Sequence, residues 1–300
     1  MLLNTLRVIL EKKDAPAFVN GTLVFITIIA ALGWIFSKES IAELPPLLFV
    51  AIRFLLSTVI ILPFFWKSLR GLTLRQVAIG AGAGVGLSTL LMLWITAISN
   101  SNRLGEGAFI MSIAMILVPL LGWLFFREPI SRRTFQAIPI TVAGLALLAF
   151  GASGLNWQFE TSQLLFLLTS LATATLFLYT GRFGRELPSQ AFTVIQFIVV
   201  MLVSLLASTL FEQWPTSLMT ISPSIWIWVG LSAVIATALR YFLLVWCQQR
   251  MVTGKAAVIM TLEPVWTALL SSWWLAEVMA PLQITGCALV LVALLIAQRR

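Results

Sequence analysis

Glu263, Thr267 and Ser271 stand four residues apart in an apolar run. On a helix that spacing makes one polar stripe, and the stripe should face protein or water instead of lipid. An ionisable group inside such a run is costly, so its default reading is functional. Pro264 follows directly. Its ring removes the hydrogen bond to the carbonyl of Met260 and can kink the helix. Freed carbonyls beside a carboxylate would suit an ammonium group or a proton. The alternative is a buried glutamate that only ties helices together. Arg240 lies about 13 Å of helix rise inside its own run, deep for a side chain reaching back to the headgroups. It could bind a substrate carboxylate or pair with Glu263, with Tyr241 and Trp246 nearby as aromatic walls. Arg53 is about 12 Å deep in another run. Thr27, Trp34 and Met115 complete the candidate substrate contacts, although an interfacial belt also accounts for tryptophans near helix ends.

Catalysis finds less support in the same residues. The chain has no His, and Glu263 is the only acid central to a run. A nucleophile with its base, a carboxylate pair or a metal set is therefore lacking. Cys247 and Cys287 both sit in apolar stretches, which gives neither a disulfide framework nor metal-ligand spacing. An enzyme, a cofactor and a nucleic-acid partner are not expected. Gly80, Gly82, Gly84 and Gly86 alternate, but no strand precedes them, so close helix packing is the reading. A channel would show charged rings or a carbonyl filter, and neither is visible.

The elements that carry these residues follow from composition. Of 300 residues 60% are hydrophobic and 10% charged, whereas a soluble domain carries about 25% charged residues. Disorder is excluded by the same hydrophobicity. A helical span of lipid takes about 20 apolar residues. Apolar runs occupy 18–36, 45–66, 76–98, 104–126, 134–151, 163–181, 188–210, 224–248, 253–276 and 281–298. The fold class is thus an all-α integral membrane protein with ten transmembrane helices. With the N-terminus in the cytoplasm, inside segments hold 14 Lys and Arg and outside segments hold Lys38 and Arg103 alone. The positive-inside rule then puts both termini in the cytoplasm, and nine spans would break the alternation. Residues 1–17 read as a cytoplasmic tail. The first run is too long for a signal peptide, and residues 2–10 are either a surface helix or frayed.

The chain also repeats itself. ELPPLLFVAIRF at 43–54 matches ELPSQAFTVIQF at 186–197, with Glu43 opposite Glu186 and Arg53 opposite Gln196. Gly105, Ala108, Met111, Leu121 and Glu128 match Gly254, Ala257, Met260, Leu270 and Glu277. In that register Pro264 falls opposite Met115, Lys255 opposite Glu106, and the first half has its proline at Pro119. Two five-helix repeats, 18–151 and 163–298, are expected around an external linker at 152–162. An odd number of spans inverts one half against the other, an architecture that places a substrate site near the midplane between them.

These segments resemble the EamA family of the drug/metabolite transporter superfamily. The resemblance rests on the Pro-initiated helix with an Arg-Phe pair (45–54) and on 118–145. It also rests on 262–291, where P-V-x-x-A-L-L is followed by A-E and P-x-Q-x-x-G. It implies a secondary transporter of the bacterial inner membrane, with a central cavity lined by the first, third and fourth helices of each half. By that pattern Arg53 stands on a peripheral helix. The expected function is export of small metabolites, amino acids or related zwitterions, by alternating access. Glu263 is then the coupling candidate if protons take part, and Pro119 and Pro264 the candidate hinges. The alternative is efflux of drugs or hydrophobic cations. The expected partners are a small-molecule substrate and the lipid bilayer, and a ten-helix chain is complete as a monomer or weak dimer.

Overall fold

In lipid a helix satisfies its own backbone, and the apolar runs fold accordingly. The computed structural model describes residues 16–101, 104–127, 129, 132–150, 161–215, 217–218, 221–251, 256, 259–260, 262–274 and 281–298. The helices are α1 (Pro16–Ser40), α2 (Pro46–Phe65), α3 (Leu74–Ser99), α4 (Leu104–Phe126), α5 (Arg132–Phe150), α6 (Thr161–Phe183) and α7 (Ser189–Phe211). They are followed by α8 (Pro223–Gln248), α9 (Glu263–Trp274) and α10 (Pro281–Gln298). Among the described residues all regular structure is helical. α1, α2, α3, α6, α7 and α8 are each long and apolar enough to cross a membrane. The tail at 1–15, most of the 152–162 linker, Arg103, Glu128, Lys255 and Glu277 lie outside the described residues, as do the side chains of Glu106, Met115, Ser271 and Cys287.

Helix starts follow local chemistry. α2 and α8 open on Pro46 and Pro223, where the missing N–H is not needed. α3 opens on a reciprocal capping box between Thr73 and Gln76, which satisfies two otherwise orphaned donors. α9 departs from expectation. The sequence predicts one continuous helix over 253–276 with Glu263 near its middle, but Leu262 lies in a turn and a helix begins at Glu263. Pro264 is the reason: proline has no N–H to give and fits the first turn.

α8 changes pitch part-way. Ser232–Leu239 is π-helical between the α-helical stretches Pro223–Leu231 and Arg240–Gln248. The Thr237 hydroxyl donates to the Ser232 carbonyl five residues back, at 2.8 Å. Arg53 of α2 enters this widened turn, donating to Thr237 Oγ1, to the Ala236 carbonyl at 3.1 Å and to Ser37 Oγ of α1 at 3.2 Å.

Side chains are arranged for lipid. Leu202, Leu206, Leu210 and Phe211 of α7 face outward, while Ser37, Ser57, Thr58, Ser204 and Thr237 are buried. The principal packing pairs are α10 on α5, α2 on α7, α1 and α2 on α8, α3 on α6 and α7, α4 on α6, and α9 on α1 and α4. Each pair joins a helix from before residue 151 to one from after 160, so the two parts interleave. Glycines set the closest approaches. A Cβ at Gly84 would lie 2.6 Å from Val199, at Gly80 2.9 Å from Ile195, and at Gly107 2.4 Å from Phe166.

Polar ties join helix ends on both faces. On the face predicted to be external, Glu43 accepts from the Ser222 hydroxyl (2.7 Å) and backbone N–H (2.8 Å) at the start of α8. Glu212 accepts from the Leu47 and Leu48 N–H groups at the start of α2, at 2.7 and 2.9 Å. Both carboxylates sit at helix N-termini, where free N–H groups and the macrodipole favour negative charge. On the opposite face Arg75 and Glu186 form an ion pair at 3.0 Å, and Gln76 donates to the Glu186 carbonyl at 2.7 Å.

Candidate functional site

The start of α9 brings Glu263 against two other helices. Its Oε2 accepts from the Arg240 guanidinium of α8 at 3.3 Å. Its Oε1 accepts from the Trp34 indole N–H of α1 at 3.1 Å. Both charged side chains are 18% exposed, so the pair lies largely out of solvent, where neutralisation by a partner is what makes ionised groups tolerable. Glu263 also stands at the start of α9, the helix end at which the macrodipole favours negative charge. Arg240 is the first residue after the π-helical stretch, and its guanidinium carbon lies 5.3 Å from the Tyr241 ring centre. Trp34 is fixed in turn by Trp94 of α3, edge-on at 5.4 Å and 88°, and by Phe166 of α6 at 6.1 Å.

A cavity of about 120 Å³ opens beside this triad. A cavity needs about 10–15 Å³ to admit one water, so there is room for several waters or one small solute. The wall draws on α1, α2, α3, α4, α6, α7 and α8, on Met260, and on Glu263 and Pro264 of α9. Most of it is apolar, with Trp34, Trp94, Phe177 and Tyr241 as its aromatic part. Ser112, Thr173, Thr180, Gln196 and Gln248 supply uncharged polar groups, and Arg53, Arg240 and Glu263 supply charge. Such a composition, mainly apolar with a few convergent polar groups, is typical of small-molecule sites. Among the described residues no cluster of His, Cys, Asp and Glu could hold a metal ion.

Of the residues singled out in the sequence, Glu263, Arg240, Tyr241, Trp34 and Pro264 meet at this wall. Thr27 and Thr267 are buried away from it. Thr27 donates to the Val24 carbonyl at 2.6 Å, and Thr267 to the carbonyl of Glu263 itself at 2.9 Å. The stripe from Glu263 to Thr267 therefore closes on its own backbone. Trp246 packs perpendicular to Phe18 at 6.3 Å, beneath Arg250, instead of walling the cavity. Pro119 is buried inside the uninterrupted α4, whereas Pro264 opens a helix. Arg53, expected on a peripheral helix, is 2% exposed and lines the cavity. α2 carries it there by packing on α7 and on the π-helical stretch of α8.

Sequence reasoning missed Trp94 and Gln196. Gln196 is 2% exposed and its Oε1 has no partner among the described residues. The available signal was its register with Arg53 in the repeat.

Residues 19–150 and 161–298 each match the EamA-like transporter family. The chain belongs to the EamA-like transporter family. This membership and the apolar helices make it a multi-pass integral membrane protein and a transporter rather than an enzyme, with a small-molecule substrate and the lipid bilayer as its partners. An uncharacterized transporter of Archaeoglobus fulgidus is 24% identical over 265 residues, covering 88% of this chain and 80% of that protein. A protein of known crystal structure aligns over 93% of this chain and 96% of its own, with TM-score 0.74 and 18% identity. That likeness shows a shared fold.

Proposed function

We propose that this EamA-like protein exports small carboxylate-bearing metabolites, amino acids or related zwitterions, by alternating access around the Trp34–Arg240–Glu263 cavity. The observation that carries this reading is the Arg240–Glu263 pair at 3.3 Å on a cavity wall. An ion pair beside a cavity can be opened by a ligand that offers a carboxylate to the guanidinium and a donor to the carboxylate. Glu263 is the coupling candidate, because a proton on it would release Arg240 toward a substrate. Two guanidinium groups in the wall disfavour the rival reading, efflux of hydrophobic cations, since like charge in a low-dielectric site is repelled strongly.

The framework in this proposal is two five-helix repeats of opposite orientation, 18–151 and 163–298, joined by the segment 152–162. Two features support it: the interleaved packing, and the matched behaviour of Glu43 and Glu186. Each of these glutamates, at equivalent places in the repeat, ties to the start of the third helix of the other half. The Lys and Arg distribution supports termini in the cytoplasm, with the bacterial inner membrane as the site of action. Rocking of the interleaved bundles would open the cavity to each side in turn, with Pro119 and Pro264 as hinges. One chain carries the whole cavity, so a monomer suffices.

The test is an untargeted comparison of small molecules in the medium of cells making the wild type or Glu263→Gln. An amino acid or related metabolite that accumulates outside only with the wild type is the expected result. An unchanged medium contradicts metabolite export.

A further inference from the structure

The charges on the cavity wall do not balance. Among the described residues it carries Arg53, Arg240 and Glu263. Glu263 is taken by Arg240 at 3.3 Å. Arg53 is 2% exposed, and every hydrogen bond it makes goes to a neutral oxygen: Thr237, Ser37 and the Ala236 carbonyl. Among the described residues one buried positive charge is thus left without a counter-charge, in a place where an uncompensated ion is expensive. Two residues of the same wall each carry a buried polar atom that has no partner among the described residues, the Arg240 Nε–H donor and the Gln196 Oε1 acceptor. Buried polar atoms are normally paired, so this wall lacks one negative charge, one acceptor and one donor.

We infer that the cavity takes a small acid of net charge −1 that also carries a hydrogen-bond donor, such as an acidic amino acid or a hydroxy acid. This rests on the proposed function and narrows it. A neutral zwitterion satisfies Arg240 and Gln196 but brings no net charge. A mono-anion supplies the missing charge near Arg53, an acceptor for Arg240 Nε and a donor for Gln196 Oε1. Arg53 thereby has two roles: its hydrogen bonds hold the π-helical turn, and its charge sets the sign of the ligand. The repeat sharpens the point, because the equivalent position in the second half is Gln196. One half presents a cation to the cavity and the other an uncharged acceptor.

The experiment uses the purified full chain in liposomes. They are loaded with an equimolar mixture of the common amino acids plus L-lactate and lactamide, and release is followed by mass spectrometry against protein-free liposomes. The expected result is that an anion (glutamate, aspartate or lactate) leaves at least about tenfold faster than its neutral counterpart (glutamine, asparagine or lactamide). Tenfold corresponds to about 1.4 kcal/mol of discrimination. Arg53→Gln should bring that ratio close to one, and Arg53→Lys should keep it well above one, because charge and not fork geometry sets the preference. If a neutral or cationic compound leaves faster than every anion, the inference fails while amino-acid transport stands. If nothing in the mixture is released, the proposed function fails and the inference falls with it. The wild-type comparison decides the question even if the Arg53 variants do not fold.

Discussion

Glu263 and Arg240 are the residues whose removal should be felt most unequally. Taking away one partner leaves the other charged and largely buried, whereas taking both removes the problem. Glu263→Gln and Arg240→Gln should each lower the unfolding temperature in detergent. The double variant should lose less than the sum, with a coupling of about 1–3 kcal/mol. Strict additivity would show that the contact at 3.3 Å carries no coupling energy. Both residues were legible in the sequence because a charge in an apolar run announces itself, but their pairing was one of several readings and only the packing of α9 against α8 decides it. Trp94 and Gln196 were not, because helices apolar on all sides give no periodicity from which to read rotation. The destinations of the Thr27 and Thr267 hydroxyls were equally hidden, since a threonine in a helix can bond its own backbone as readily as a neighbour.

Helix contacts decide the next level, and the glycines of α3 divide sharply. A methyl at Gly84 would meet Val199 at 2.6 Å, whereas one at Gly86 would meet Leu176 at 3.5 Å, an ordinary contact. Gly84→Ala should destabilise by about 1–3 kcal/mol and Gly86→Ala should be nearly neutral, as measured by thermal unfolding of each variant. Equal effects would contradict the packing of α3 on α7. The tie at the start of α8 gives a pH prediction. The Ser222 hydroxyl, and after it the Ser222 N–H, hold the exposed Glu43 carboxyl below the usual carboxylate range. A group whose pKa is lowered by folding stabilises above its unfolded pKa and loses that contribution as pH falls through its folded value. The difference in unfolding temperature between wild type and Glu43→Gln should therefore be full at neutral pH and vanish in acid below the carboxylate range. A difference independent of pH would show that the carboxylate does not act through its charge. Most helix positions were readable from apolar runs, to within a few residues. The break before Glu263 was not, because Pro264 permits either a kink within a helix or the start of a new one. The π-helical stretch of α8 was also silent, since the Arg53 side chain that bonds to it comes from another helix.

The molecule as a whole is a membrane protein with polar groups gathered inside and apolar side chains outward, and that inversion was plain from composition. Family membership, too, was carried by motifs spread through the chain. What composition could not supply was the interleaving of the parts before and after 151–160, since that arises from long-range packing of α2 on α7 and of α9 on α1 and α4. It is this interleaving that puts Arg53, Arg240 and Glu263 on one wall. The most direct measurement of whether that wall is the transport site uses Ser112→Cys, a cavity position, in a background with Cys247→Ser and Cys287→Ser. The protein is placed in liposomes loaded with the common amino acids, and release is measured before and after a membrane-permeant thiol reagent. Release by the cysteine variant that stops on modification, while the serine background continues unaffected, is the expected result. Release that continues undiminished after complete modification of Ser112→Cys would place the transport path elsewhere.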